Sequence, residues 1–159
     1  MERKLNTTRP RLSVGNVVPN FTLKDLNDEP ISRGAYRVLR HLVLVLLPNI
    51  SAATQTYIEE LRDSYATIHA AEGEVLVLIG EPVAQAAEVY AELDTPFHIL
   101  IDSEKAVSAK FLPEGAGYGI FILDRYGALH AQWVLSAPPF PPVEDVVEWI
   151  EAIDNQCTL

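Results

Sequence analysis

Two uninterrupted apolar runs set what this chain can fold into. Residues 42–47 (LVLVLL) and 75–79 (VLVLI) are strand-length and carry no polar side chain. A half-exposed strand alternates apolar with polar residues, so runs like these read as strands buried on both faces. Neither approaches the roughly 18 apolar residues that a membrane-spanning helix needs. Between them the period changes. Ile58, Leu61, Tyr65 and Ile68 recur at three and four residues, with Glu59, Glu60, Arg62 and Asp63 between them. That is an amphipathic helix. Ser51 is its expected N-cap, with Thr56-x-x-Glu59 a capping box if the helix starts later, and Gly73 its expected stop.

The remaining elements follow the same logic. Residues 18–23 read as a short strand entered through Pro19. Residues 24–29 form a polar turn, and Pro30-Ile31 begins a second short strand or edge piece. Pro82 opens a helix with Ala86, Val89, Tyr90 and Leu93 on one face and Gln85, Glu88 and Glu92 opposite. Residues 97–101 are a third buried strand, and 103–111 a short helix capped by Ser103. Strands at 118–123 and 128–135 flank Asp124-Arg125-Tyr126-Gly127, a hairpin turn in which Gly127 supplies positive φ. Residues 136–142 are a stiff proline-rich loop, and Val143, Val146, Val147, Ile150 and Ile153 mark a final helix. The order β-β-α-β-α-β-α-β-β-α demands parallel crossovers with an added antiparallel hairpin. The expected fold is a three-layer α/β/α sandwich around a mixed sheet.

The 159 residues, 48% of them hydrophobic, suffice for one domain with a real core. We expect a basic, flexible arm over residues 1–12, a single domain over 13–155 and a tail at 156–159. The charge of −10 is unevenly spread: residues 1–41 hold eight Lys/Arg and four Asp/Glu, and residues 42–159 hold four and eighteen. An acidic body repels phosphate, which argues against nucleic acid as a partner. Arg3, Lys4, Arg9 and Arg11 read as a solvated, frayed tail, or alternatively as a basic arm that reaches a partner. The first nine residues lack the apolar core of a signal peptide, and a single cysteine forms no internal disulfide. Both point to the cytoplasm and away from the membrane.

Three phrases, in this order and spacing, resemble the peroxiredoxin branch of the thioredoxin-like superfamily (alkyl hydroperoxide reductase and thiol antioxidant proteins). Residues 15–23 (GNVVPNFTL) are similar to the family's opening G-x-x-A-P-x-F-x-L. Residues 42–48 look like the strand that ends in proline before the active-site loop. Residues 121–127 (FILDRYG) look like its F-x-I-D-x-x-G hairpin. The resemblance spans about residues 12 to 155. It implies a thioredoxin-like fold, and in such proteins the strand-to-helix junction carries the reactive cysteines.

The departures from that pattern bear on function. Counting back from Leu61 places the peroxide-reactive cysteine of the family at Thr54, and a C-x-x-C pair falls on Ser51 and Thr54. A hydroxyl is too weak an acid to supply the thiolate, and oxygen does not run the sulfenate and disulfide cycle. Ser51 fits the hydrogen-bonding role of the threonine that precedes the family's cysteine by three residues. Peroxiredoxins set an arginine, and thioredoxins a cis-proline, where this chain has Tyr118. Of the usual set only Pro48 is kept. The positions Pro48, Ser51, Thr54 and Tyr118 therefore read as a degenerate active site, with no catalytic residue assigned.

Other candidates have simpler readings. Cys157, the one cysteine, is a tail thiol with no visible partner. Residues 115–119 (GAGYG) follow a helix and precede a strand, the reverse of a phosphate-binding loop. His41, His69, His98 and His130 have no metal-ligand spacing. Asp102 and Glu104 sit at a strand end, where capping is the plain role, and Asp124 bonds its own turn. Ser51 lacks the G-x-S-x-G elbow of a hydrolase. Glu144, Asp145, Glu148 and Glu151 form a solvated face. Trp133 and Trp149 read first as core, with Trp149 at the edge of its helix face. Trp149 or the loop around Phe140 is the alternative dimer contact. No cofactor and no metal are implied. The sequence thus points to a redox-inactive peroxiredoxin-like protein. It would act as a binding or assembly module through the degenerate groove, and would pair as a homodimer or with a protein or peptide. The alternative is an antioxidant thiol-dependent peroxidase that uses Cys157.

Overall fold

The first apolar run becomes the middle of an eight-stranded sheet. The computed structural model describes residues 5–81 and 83–156. Strand β4, His41–Leu47, pairs in parallel with β5, Gly73–Ile79, and antiparallel with β7, Tyr118–Leu123. Helix α1, Ala52–Ala70, crosses from β4 to β5, and α2, Val83–Leu93, crosses from β5 to the parallel strand β6, His98–Ile101. Strand β8, Leu129–Ala137, closes the hairpin with β7, and α4, Val143–Gln156, follows it. The edges are β1, Asn6–Thr7, against β8, and the pair β2, Thr22–Asp25, and β3, Pro30–Ser32, beyond β6. The order is β1-β8-β7-β4-β5-β6-β2-β3. Pro82 and Cys157, and the side chains of residues 83–86, lie outside the described residues.

Every residue of β4 is buried, and its side chains divide by parity. Val43, Val45 and Leu47 join Ile58 and Leu61 of α1 and Val146 and Ile150 of α4 in one core. Leu42, Leu44 and Leu46 join Phe111, Phe121 and Leu129 in the second core. Two covered faces explain why no polar residue interrupts the run. The second outer layer is thin. It consists of α3, Ser108–Phe111, with a 3-10 helix at Arg33–Tyr36 and the segment around Val18 and Phe21.

Four expectations shift. The first strand begins at Thr22, not residue 18. Val18 N–H instead bonds Gly127 O at the hairpin tip, and the Arg33 guanidinium donates to Val18 O and Pro19 O at 3.2 and 3.1 Å. The helix expected over 103–111 shrinks to four residues. The buried Asp102 carboxylate accepts from the Val107 and Ser108 N–H groups and from Ser108 Oγ, so capping falls to Asp102 and not Ser103. Helix α1 ends through Glu72, which takes φ 66°, and Gly73 is already in β5. Gly73 is small for packing: a Cβ there would lie 2.8 Å from Ile68 Cγ2 and 3.0 Å from both Ile150 Cγ2 and Ile68 O. Finally, Trp149 is 36% exposed, whereas Trp133 is partly buried and packs against the first core.

The segment expected as a flexible arm enters at Leu5, which packs on the first core. It runs along β8, with Thr8 N–H donating to Val134 O and Gln132 Nε2 to Leu12 O. At the opposite end of β4, buried His41 points Nε2 at Asp154 Oδ1, 2.9 Å away. Arg125 grips the same carboxylate at 3.1 and 3.3 Å. Asp154 is thereby held below the ordinary carboxylate range: burial pulls it up, but the hydrogen bonds from Arg125 and His41 outweigh that. His41 Nδ1 has no hydrogen-bond partner among the described residues. A neutral ring with its proton on Nε2 satisfies this site, whereas a second proton would bury an unpaired N–H.

Two outcomes are expected. Gly73→Ala should destabilise the fold by about 1–3 kcal/mol in urea unfolding, because Ile68 O is backbone and cannot swing aside. Burial lowers the His41 pKa below its ordinary 6.5, against the opposing pull of Asp154. The unfolded chain therefore takes up the proton first, and stability should fall as pH drops below about 6.5, down to the folded-state pKa. In His41→Gln that part of the pH slope should vanish. An unchanged slope between pH 7 and 5 would assign it to other groups.

Candidate functional site

The junction after β4 is built by one proline and two hydroxyls. Pro48 ends the strand, and Ser51 takes extended angles, φ −146° and ψ 173°, as the N-cap of α1. Ser51 Oγ accepts from Thr54 N–H at 3.2 Å, and Thr54 Oγ1 accepts from Ser51 N–H at 2.7 Å. Thr54 Oγ1 also donates to Ser51 O at 3.1 Å, and the two hydroxyls lie 3.3 Å apart. This reciprocal capping box satisfies two of the donors that a helix start leaves open. The box uses Ser51 and Thr54, so Thr56 and Glu59 are not needed for it. Thr54 is 1% exposed. Its proton is committed to a backbone carbonyl, with no histidine or carboxylate among its hydrogen-bond partners.

Tyr118 stands at the start of β7, half-buried. Its ring meets Phe140 edge-on, with centroids 5.5 Å apart at 65°, and Tyr57 of α1 meets Phe140 at 4.7 Å. Phe140 comes from the proline-rich loop and is 4% exposed. It is thus core here and not the outward surface that a loop position suggests. The loop holds a cis peptide at Pro138–Pro139. Tyr57, Tyr118 and Phe140 together occupy the first-core side of the junction.

Pro48 faces a different space. A cleft of about 320 Å³ opens where β4 and β5 end, lined by Leu47, Pro48, Gly80, Leu112, Ala116 and Gly117 among others. A Cβ on Gly117 would sit 3.6 Å from Pro48 Cγ, so the segment before β7 approaches the proline closely. The four expected site positions therefore separate. Pro48 lines the cleft, Ser51 and Thr54 cap the helix, and Tyr118 stacks in the aromatic group.

The other candidates resolve singly. Asp124 accepts from the Tyr126 and Ala128 N–H groups at 2.9 and 3.0 Å, and pairs with His130 at 2.9 Å. Burial raises its pKa, but the bonds from His130 and these amides bring it below the ordinary range. His98 faces Asp25, and His69 lies against the Tyr65 ring. Among the described residues no three His, Cys, Asp or Glu side chains converge in a way that would hold a metal. No helix among them is long and apolar enough to cross a membrane. Arg11 and Lys105, which the sequence reading did not single out as site residues, also line the cleft.

A mixed sheet whose central strand ends in proline before a long capped helix defines the thioredoxin-like class. The sequence matches the model of the AhpC/TSA family over residues 14–132, and the chain belongs to that family. A search of curated proteins gives no match. Among solved structures, the chain is similar to peroxidoxin BcpB from Mycobacterium tuberculosis, with TM-score 0.80, 16% identity, and 90% and 99% of the two chains covered. It is similar to the yeast mitochondrial 1-Cys peroxiredoxin, with TM-score 0.79, 14% identity, and 92% and 78% covered. A putative protein disulfide isomerase from Bacteroides thetaiotaomicron follows at 0.76, 13% identity and 94% of each chain. Likeness at these identities is likeness of fold.

Removing the hydroxyl in Thr54→Val should cost about 1–2 kcal/mol of stability, the usual worth of a capping interaction. Ser51→Ala should cost a similar amount. The double variant should lose clearly less than the sum, because both changes break one box. Chemical denaturation of the three variants measures this.

Proposed function

We propose that this AhpC/TSA-family protein is redox-inactive and works as a binding or assembly module through the cleft beside Pro48. One observation carries the reading. The two hydroxyls at the expected thiol positions, Ser51 and Thr54, are spent on each other in a capping box, with Thr54 buried. A family thiol at a helix start is reactive because the helix dipole and a nearby cation favour its thiolate. Here sulfur is absent from that point, and Tyr118 replaces the cation. The cleft at the strand ends keeps the concavity that a ligand requires. Pairing as a homodimer belongs to the same proposal. The exposed indole of Trp149 supports it, since a large apolar side chain left in water is a common interface anchor.

Peroxide consumption with dithiothreitol or thioredoxin should stay at background, and Cys157→Ser should not change it. Turnover that disappears in Cys157→Ser would establish the alternative, a thiol-dependent peroxidase. In a parallel screen of peptides and metabolites, amide shifts should move at Gly80 and Gly117. Shifts confined to other regions would defeat the binding role of the cleft.

A further inference from the structure

The side chains at the mouth of the Pro48 cleft specify what it takes. Resting on the binding role just proposed, we infer that its ligand is a small monoanion with an apolar body, of the chemistry of a medium-chain carboxylate.

The walls are apolar: Leu47, Pro48, Leu112 and Pro113 line the space. The charged residues that line it are Arg11, Lys105 and Glu114. Neither cation makes an ion pair among the described residues, as is also true of Arg9, Arg33, Arg37 and Lys110, while Lys24, Arg40, Arg62 and Arg125 have carboxylate partners. Arg11 Nε donates to Leu112 O at 3.3 Å, which fixes the side chain at the rim and leaves its terminal nitrogens for a ligand. Lys105 lies across the end of β5. A Cβ on Gly80 would come within 3.0 Å of Lys105 Cε and 2.9 Å of Pro48 O. The lysine stem thus covers the glycine, and both residues line the cleft. The backbone of Lys105 takes φ 58°, a conformation that lysine rarely adopts.

The placement is uncommon for this molecule. Residues 42–159 contain only four Lys/Arg against eighteen Asp/Glu; the connection that forms this wall carries Lys105 and Lys110 together with Asp102, Glu104 and Glu114, and of these Lys105 and Glu114 line the cleft. A protein of charge −10 repels free anions at long range, so an anion is held only where cations outnumber acids locally. Among the residues that line the cleft, Arg11 and Lys105 against Glu114 leave one net positive charge, which matches a monoanion better than a dianion. The apolar walls give no purchase to a bare ion, so the head must carry a hydrocarbon body. At about 320 Å³ the space is at the small end of ligand pockets, which favours a short chain.

The test is titration of the full chain with octanoate, octan-1-ol and acetate, read by amide shifts at Gly80, Gly115 and Gly117 and by the Leu112 methyl groups. Octanoate should bind about fivefold tighter than octan-1-ol, the worth of one exposed ion pair, and acetate should leave these signals in place. Arg11→Gln with Lys105→Gln should bring octanoate down to the affinity of the alcohol. Glu114→Gln should tighten octanoate and not the alcohol. Equal affinity for octanoate and octan-1-ol at these residues overturns the anion preference and leaves the binding groove standing. Failure of both to move the cleft signals, with peptides and metabolites equally silent, removes the groove as well.

Discussion

Strand β4 meets water on neither face and at neither edge. Its amides and carbonyls pair with β5 on one side and β7 on the other, and its side chains fill two separate cores. A buried backbone group without a partner is costly, so this strand dictates where everything else stands. Both faces must be covered, one by α1 and α4 and the other by α3 and the segments around it. Crossovers must be parallel on one side, and a hairpin must return on the other. The chain regains freedom for polar chemistry only past Leu47, where Pro48 cannot extend the ladder. The concave space and the helix start both fall at that exit, as they do where strands end in other open α/β sheets.

Much of this was legible from residues alone. An uninterrupted run in β4 and β5 and a helical period in α1 are global patterns, and they located the sheet and its first crossover. Asp124 to Gly127 gave the hairpin because a turn of that kind is written locally; Gly127 takes φ 84° as the turn requires. The misread positions depend on contacts distant in sequence. Gly73 looks like a helix stop until Ile150 of α4 is seen to press on it. Phe140 lies in the loop as expected, but its burial is hidden in the sequence because nothing nearby reveals that Tyr57 and Tyr118 flank it. Arg11 reads as tail because its contact with Leu112 spans a hundred residues of chain.

The site shows the same division. Ser51 and Thr54 were visible as hydroxyls at a thiol spacing, yet only the geometry gives them a shared structural task. Their reciprocal bonds close the helix start while the strand-to-helix backbone of the family is retained. Sulfur is a poor hydrogen-bond acceptor, and a thiolate needs open space for its reaction. Oxygen closes the box tightly, and Thr54 is sealed from solvent as a consequence. The helix start is closed to solvent at Thr54, and the open space of this region is the cleft lined by Pro48.

The docking of residues 5–12 reaches further than their number suggests. Strand β8 is nine residues long, and a bare edge of that length offers unpaired donors and acceptors to any neighbouring strand. The leading segment shields that edge, and a few residues on it delivers Arg11 to the cleft rim. Shortening the chain at its start would therefore bring two liabilities at once: a surface prone to self-association and a cleft stripped of one of its two lining cations.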